Sequence, residues 1–575
     1  MKTRWDGWVI ALVAGAVYVA TAPRWIIGGD NAELVTIFAR GGVAHPPGYP
    51  LYEMILRAFA WLPVAAPFAS ALVTAAIGAA AIVVLHRAAL AWGASRPAAA
   101  IATAVFAGTR LAWMLSSSAE VFALNVLLAC ALVLVSGPEA TTRGWHRALA
   151  VGLFFGLGLS NHHTIIFLAP VAFWGLLVAL REDAGPKWRP IAAGAAGLVV
   201  GLSPYAYLLW QGTHADPAHD WVWGNVHDLP SLFRHFRRAE YGTTRLALAD
   251  APREPWPQIR TLLTSSITEL LALPAIAFLG GVVSLRKPKA GVVMLSASAI
   301  LAGPIFVTAF NIPPRGLSLA IVERFHLLPF ALVAVLAAIA IDVVIPRLAE
   351  RPTIGFAIAA IAIVAQFVIA APAVAESHRP TIDHYVRNTL ESAPPNTIIV
   401  GSGDEKFAGF MYGRKVLGLR TDVEFVTPEM LYADWARERV SATLGITLAV
   451  PTSDRVALVE QLAATGRPVG FVGTVPQAIY AHAMDTYPHG TLQMLVRKGD
   501  PPRDVDTLER QNLQLLQAFV LEPTSSESRD TWSGSTFAEY ARSWVILENA
   551  FRSQGRTARA DDCHKRAIAF APWLH

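Results

Sequence analysis

Two carboxylates, Asp30 and Glu33, stand in the segment Gly28-Gly29-Asp30-Asn31-Ala32-Glu33, directly after the first apolar run of the chain. At the start of a short helix this spacing sets them side by side on one face. They can cap that helix, Asp30 at its start and Glu33 completing a box-like pattern. They can also supply a general base beside a membrane, where partial loss of water raises a carboxylate pKa toward working pH. The segment His45-Pro46-Pro47-Gly48-Tyr49-Pro50 follows, and its prolines fix the backbone that presents His45 and Tyr49. Further polar clusters are Ser116-Ser117-Ser118-Ala119-Glu120, Asn161-His162-His163-Thr164 and Glu323-Arg324. Glu120 can cap a helix or meet a substrate, and Asn125 can hydrogen-bond between helices. Adjacent histidines on a helix point in different directions, so His162 and His163 do not make a two-ligand metal site by themselves. One of them contacting a phosphate or an acceptor fits better. Arg234, Arg237, Arg238, Arg245, Arg253 and Arg260 crowd one loop, and arginine suits phosphate through its planar donors. Trp221 and Trp223 fit an aromatic belt, or a stacking surface for a sugar or an isoprene.

These residues must be held by a membrane scaffold. The chain is 54% hydrophobic and 15% charged, with a mean hydropathy of +0.43, and its apolar residues are gathered into long runs. Eleven spans are expected, at roughly 8–23, 66–86, 97–115, 120–136, 147–161, 163–180, 190–210, 262–284, 291–311, 326–345 and 353–374. The first lacks a small-residue cleavage site and is followed by more spans, unlike a signal peptide. Arg87 and Arg96, Arg143 and Arg147, Arg181 with Lys187 and Arg189, Arg286 with Lys287 and Lys289, and Arg347 with Arg351 fall in alternate loops. By the positive-inside rule these loops and the N-terminus are cytoplasmic, and everything after Val374 is outside. Every polar cluster above then lies on the outer side. The Asn31–Arg40 and Leu51–Trp61 stretches read as short amphipathic helices at the interface, split by the proline turn.

From about residue 376 the composition turns soluble. Thr397–Val400, Val423–Val426 and Val469–Val472 read as strands of a small α/β unit, and Gly401-Ser402-Gly403-Asp404 as a structural turn after the first. The expected organisation is a transmembrane domain over 1–375, an exoplasmic α/β domain over 376–500 and a helical tail over 501–575. In the tail, Trp544, Leu547, Phe551, Gly555, Ala560, Ala567 and Pro572 keep the spacing of one tetratricopeptide-like repeat. The net charge of +5 reflects the topology and does not argue for nucleic acid. Only two cysteines occur, Cys130 and Cys563, and no disulfide framework is expected. Arginine-over-lysine usage and abundant alanine point to a bacterium, with the outside as periplasm and the host membrane as the inner membrane. Walker, zincin and paired-cysteine redox motifs do not occur.

Four ordered motifs carry a resemblance: Asp30-x-x-Glu33, His45–Tyr52, Ser118–Asn125 and Gly156–Thr164. With Trp223-Gly224, Glu240-Tyr241-Gly242 and Glu323-Arg324, the chain resembles the multi-pass membrane family related to protein O-mannosyltransferases. The resemblance implies a GT-C glycosyltransferase fold and a polyprenyl-phosphate-linked sugar donor. It implies that Asp30 deprotonates or orients an acceptor hydroxyl, with Glu33 supporting it or helping to hold a divalent cation where one is used. Arg234, Arg237, Arg238 and Arg324 are candidates to meet the departing lipid phosphate. Position 122 is Phe where relatives carry Tyr, so no hydroxyl role falls there. The acceptor would be Ser or Thr of an exported protein; a glycan or a lipid is the alternative. A transporter or flippase for a lipid-linked saccharide is the rival, and it would need broken helices and ionisable groups inside spans.

Overall fold

A computed structural model describes residues 5–243, 245, 252–448, 454–481, 484–497, 499–501, 503–524 and 529–574. The part of the arginine-rich loop at 244 and 246–251 lies outside them. The chain divides into two compact units. The first comprises residues 1–24, 41–215 and 226–375; the second comprises 25–40, 216–225 and 376–575.

The first unit is helical. Among the described residues, five helical runs that begin in it are long and apolar enough to cross a bilayer, starting at Ala66, His163, Trp188, Leu317 and Pro352. Two bent pairs, Arg96–Gly108 with Arg110–Ser116 and Pro255–Leu270 with Leu273–Ser284, break by 64° and 104° and bring the number to seven. Shorter apolar helices occupy Asp6–Ala20, Phe122–Ser136 and Ala290–Ile305. Exposed Leu12, Val199, Phe278, Ile361 and Val368 cover their outward faces, as lipid contact requires. The protein is a polytopic helical membrane protein.

Small residues set the closest packing. The Gly144–Leu159 helix lies on Trp188–Leu202, and a Cβ at Gly152 would stand 2.0 Å from the Gly194 carbonyl oxygen. Only glycine allows backbones to meet so closely in an apolar medium. Polar atoms inside the unit are tied across helices. The Tyr18 hydroxyl donates to the Ala107 carbonyl at 2.6 Å, and Asn125 Nδ2 to Thr164 Oγ1 at 2.9 Å, the inter-helix role expected of Asn125. Arg147, counted above as a topology marker, is fully buried; it binds Glu182 and the carbonyls of Val135 and Gly137.

The second unit holds a five-stranded sheet: β1 (Ile398–Val400), β2 (Glu424–Val426), β3 (Val469–Phe471), β4 (Met484–His489) and β5 (Leu492–Arg497). Their order is β2-β1-β3-β5-β4. β1 pairs in parallel with β2 and β3, whereas β5 is antiparallel to β3 and β4. All three expected strands are present, and the Met484–Arg497 hairpin was not foreseen. Ile398, Val426, Leu462 and Ile479 pack the core beside the sheet. In the tail, Trp532–Ser553 and Thr557–Phe570 form a helical hairpin turned at Gly555 (φ +74°), whose core is Trp544, Leu547, Phe551, Ala560, Cys563 and Ala567. Both cysteines are free and buried.

Candidate active site

The proline turn is fastened from several directions within the first unit. Gly48 N–H donates to the His45 carbonyl (2.8 Å) and Leu51 N–H to Ser160 O (3.1 Å). Ala44 N–H donates to the buried Glu53 carboxylate (2.7 Å), and His235 Nε2 donates to the Ala44 carbonyl (3.0 Å). Burial pushes His235 down to about 3, so it stays neutral. Gly48 sits at φ +96°, and a Cβ there would meet Leu208 Cδ2 at 2.6 Å. Tyr49 takes the left-handed conformation too (φ +45°), which is uncommon for a bulky residue. The helix Pro50–Ala58 starts immediately after it.

Tyr49 is thereby set against a histidine. Its ring stacks on His162 with centroids 5.9 Å apart and planes at 11°, and its hydroxyl shares a 2.9 Å hydrogen bond with His45 Nε2. Phe122 and Phe325 also flank His162, at 5.3 and 5.8 Å. The Thr164 backbone N–H points to His162 Nδ1 (3.3 Å), and Thr164 Oγ1 lies 2.9 Å from the same atom. A backbone N–H can only donate, so Nδ1 accepts and the ring proton resides on Nε2. Burial first, then the charges of its neighbours His163, Arg238, Arg324 and His45, pushes His162 down to about 3. It is a neutral donor, not a cation. His163 points elsewhere, toward the Tyr205 hydroxyl (3.3 Å) and the Phe236 ring (4.7 Å). Asn161 Nδ2 donates to the Val121 carbonyl at 3.1 Å.

The same charges sort the arginines. Arg238 and Arg324 both act on His162. Arg238 lies over the Tyr241 ring (5.2 Å), and Tyr241 faces His45 (6.4 Å). Arg324 lies over Phe122 (5.6 Å) and pairs with Glu120 at 3.4 Å, their side chains 12% and 6% exposed. Arg234 and Arg237 are exposed, and Arg237 lies over Phe233; Glu240 is exposed as well. His45, Tyr49, Glu120, His162, Arg238, Tyr241 and Arg324 therefore form one connected cluster. Glu323, next to Arg324 in sequence, turns to Arg110 (2.6 Å) instead.

Asp30 and Glu33 belong to the second unit, not to the unit of the histidine cluster. The helix expected at a membrane surface is instead part of that unit's core. Residues 31–38 are buried and pack on the Asp404–Lys415 helix, since Leu34, Ile37 and Phe38 each gain about 1.5–3 kcal/mol from full burial. Trp25 Nε1 donates to His378 O (2.7 Å), and Ile27 N–H to Asn31 Oδ1 (3.0 Å). Gly28 is required because a Cβ would stand 2.1 Å from Trp532 Cγ. Leu34 N–H bonds the Asp30 carbonyl (3.1 Å), so Asp30 stands at the helix start, half-buried, and Glu33 in the first turn is buried. Trp221 and Trp223 are buried against Phe407, and Trp223 also against Trp435. They form neither a membrane belt nor an open stacking surface, because apolar rings of their own unit cover them. No group of three His, Cys, Asp or Glu side chains able to hold a metal occurs among the described residues. The two carboxylates alone are too few for a dedicated cation cage.

Sequence reasoning missed Arg110, whose Nη2 reaches both Glu269 (3.0 Å) and Glu323 (2.6 Å). The signal was present: charged residues inside apolar runs are costly and do work there. Thr164 was seen only as part of a polar turn, although it orients His162.

Residues 30–184 match the family described as "Protein O-mannosyl-transferase TMEM260 N-terminal domain". The chain is 32% identical to Protein O-mannosyl-transferase TMEM260 of Mus musculus over 455 residues, 74% of this chain and 63% of that protein. It is 26% identical to Protein O-mannosyl-transferase tmem260 of Dictyostelium discoideum over 250 residues, 40% of this chain and 30% of that protein. The chain thus spans less than two thirds of either relative. Its fold is similar to that of ArnT from Cupriavidus metallidurans, solved bound to undecaprenyl phosphate, with a TM-score of 0.55, 13% identity, and coverage of 86% of this chain and 99% of that one. The apo structure of ArnT gives 0.54 at 14% identity, with the same coverage. The chain is thus similar in sequence to these O-mannosyl-transferases over part of their length, and in fold to ArnT.

Proposed function

We propose that this protein transfers a hexose such as mannose from a polyprenyl-phosphate donor to an acceptor hydroxyl, Ser or Thr of an exported protein. The observation that carries the reading is the cluster that links His162 through Phe122 to Arg324 and through Tyr49, His45 and Tyr241 to Arg238, in a chain similar to protein O-mannosyl-transferases. Two guanidiniums and an Nε2–H suit the charge that gathers on a departing phosphate. ArnT, which shares the fold, was crystallised with undecaprenyl phosphate.

In the proposed reaction the acceptor oxygen bonds to the anomeric carbon as the bond from that carbon to the phosphate oxygen breaks. The acceptor proton passes to Asp30, and the lipid leaves as polyprenyl phosphate with inversion at the anomeric carbon. Glu33, buried one turn on, holds Asp30 in place. Arg238 and Arg324 balance the phosphate charge, while Tyr49, Phe122 and Phe325 hold His162 between rings that exclude water. Eleven spans with a cytoplasmic N-terminus would put this chemistry on the periplasmic face of a bacterial inner membrane. The soluble unit, with its tetratricopeptide-like hairpin, would recruit the acceptor.

The test is transfer from radiolabelled polyprenyl-phosphate mannose to a Ser/Thr-rich peptide by the purified full chain. Labelled peptide is expected; a donor left intact over many hours refutes the reading. A second reading, a saccharide-lipid transporter, draws on the two broken spans that carry Arg110 and Glu269. It predicts movement of the intact donor across proteoliposomes with no new glycosidic bond.

A further inference from the structure

A cavity of about 670 Å³ lies within the first unit, between the Pro255–Leu270, Leu317–Glu323 and Pro352–Ser377 helices. It shares no residue with the His45–His162–Arg324 cluster. One wall is a polar stripe on an otherwise apolar element: Arg260, Thr261, Thr264, Ser265, Thr268 and Glu269 all line the cavity. Their positions repeat at i, i+1, i+4, i+5, i+8 and i+9, a single face at the helical period. The other face carries Leu263 and Ile267, 54% and 62% exposed, as a lipid-facing surface would. The facing helices add an apolar strip of Leu319, Ile369, Ala370 and Ala373 beside the polar Glu323 and Gln366, with Ile369 and Trp256 largely exposed at the rim. The cavity is amphipathic: a row of hydroxyls on one helix, charged groups of both signs, and a strip of hydrocarbon.

Its charges are unevenly committed. Arg110 Nη2 is paired with both Glu269 (3.0 Å) and Glu323 (2.6 Å), and Leu111 N–H gives Glu269 a second hydrogen bond (3.0 Å). Arg315 holds Glu254 at 3.1 Å. Arg260 is exposed and makes no ion pair among the described residues. A bilayer-flanked cavity with one uncommitted guanidinium, a row of hydroxyls and a hydrocarbon wall matches an amphiphile with an anionic, hydroxylated head.

We infer that this cavity binds the head of an anionic, phosphate-bearing membrane lipid, with the phosphate on Arg260 beside Arg315 and its chain along Leu319, Ile369 and Ala373. The hydroxyls of Thr264 and Thr268 receive the polar part of the head. The site has a structural consequence. Glu323 faces the cavity, and the next residue, Arg324, holds Glu120 in the neighbouring cluster. A hydroxyl of the head donating to Glu323 ties an occupied cavity to the turn that carries Arg324. Two lipids offer this chemistry, a glycerophospholipid such as phosphatidylglycerol and a polyprenyl phosphate.

The test uses the full chain in phosphatidylcholine nanodiscs, titrated with phosphatidylglycerol or with polyprenyl phosphate, reading bound lipid by native mass spectrometry and the thermal midpoint in parallel. Arg260→Gln removes the charge, and Thr264→Leu fills the polar wall without touching it. Each is expected to weaken binding about tenfold, the size of one charge-assisted contact or its steric equivalent, and to erase the rise in midpoint. A response to phosphatidylglycerol assigns a glycerophospholipid; a response to polyprenyl phosphate alone assigns the polyprenyl lipid. No selectivity for either over phosphatidylcholine, or unchanged binding in both variants, overturns the site.

Discussion

Replacing Arg324 by Gln separates what the arginine does for the fold from what it does for the reaction. Arg324 and Glu120 approach to 3.4 Å with both side chains nearly withdrawn from solvent, an attraction of about 5 kcal/mol at an effective dielectric near 20. Desolvation offsets much of that, so the pair's net worth is small, yet removing one partner strands the other charge. That loss is about 3–5 kcal/mol for a buried pair. Arg324→Gln should therefore lower the thermal midpoint of the detergent-solubilised protein clearly. Glu120→Gln combined with it should return most of the midpoint, since no charge is then left unmatched. Transfer should behave differently. If Arg324 meets the departing phosphate, both variants lose about 100- to 1,000-fold in rate, the usual scale for removing one preorganised group from developing charge. Midpoints from tryptophan fluorescence and initial rates on one preparation test both halves. A double variant that recovers stability and full transfer together would refute the catalytic part. A single variant with an unshifted midpoint would refute the electrostatic part.

Other outcomes follow from the same geometry. Gly48→Ala puts a Cβ at 2.6 Å from Leu208 Cδ2 and 3.2 Å from His235 Nε2 at φ +96°, and should cost about 1–3 kcal/mol; an unchanged midpoint would contradict the fastening of the turn. In the second unit, Lys415 Nζ donates to the carbonyls of Pro217 (2.5 Å) and Asp220 (2.9 Å). Burial, then the nearby Arg414 and Arg439, pushes it from 10.5 down to about 8. Between these values the unfolded chain binds the extra proton, so this group's contribution to stability rises with pH from about 8 to about 10.5 and is least favourable below 8. Midpoints recorded from pH 7 to 10 should climb relative to Lys415→Met; parallel curves would show that Lys415 titrates normally.

The apolar runs, the proline turn and the three strands were readable from sequence because each is a local pattern: hydrophobic length, fixed φ, β-branched clusters between turns. The split of the early loop was not. Gly28–Arg40 joins a unit whose other residues begin nearly two hundred positions later, and its partners Trp532, His378 and the Asp404–Lys415 helix leave no periodic trace beside it. Trp221 and Trp223 look like interface residues by type and are core by contact, for the same reason. The motif residues His45, Tyr49, Glu120 and His162 could be named from sequence, but choosing Arg238 and Arg324 over Arg234 and Arg237 needed the ring contacts that tie the first two to the cluster. Arg110 and Glu269 were hidden by the hydrophobicity of their own runs, where an average conceals a single charge. Arg147 shows the converse, an arginine that marks a loop by position and ties helices together by structure.

The central proposal is that Asp30 takes the acceptor proton in transfer from a polyprenyl-phosphate donor. Its most direct measurement is single-turnover transfer from polyprenyl-phosphate mannose to a peptide hydroxyl, comparing the full chain with Asp30→Asn at saturating donor. The account predicts that the variant folds with an unchanged midpoint, binds donor as tightly as the natural chain, and transfers at least about 100-fold more slowly, the low end for a positioned general base. An Asp30→Asn protein that transfers mannose at the undiminished rate would contradict it.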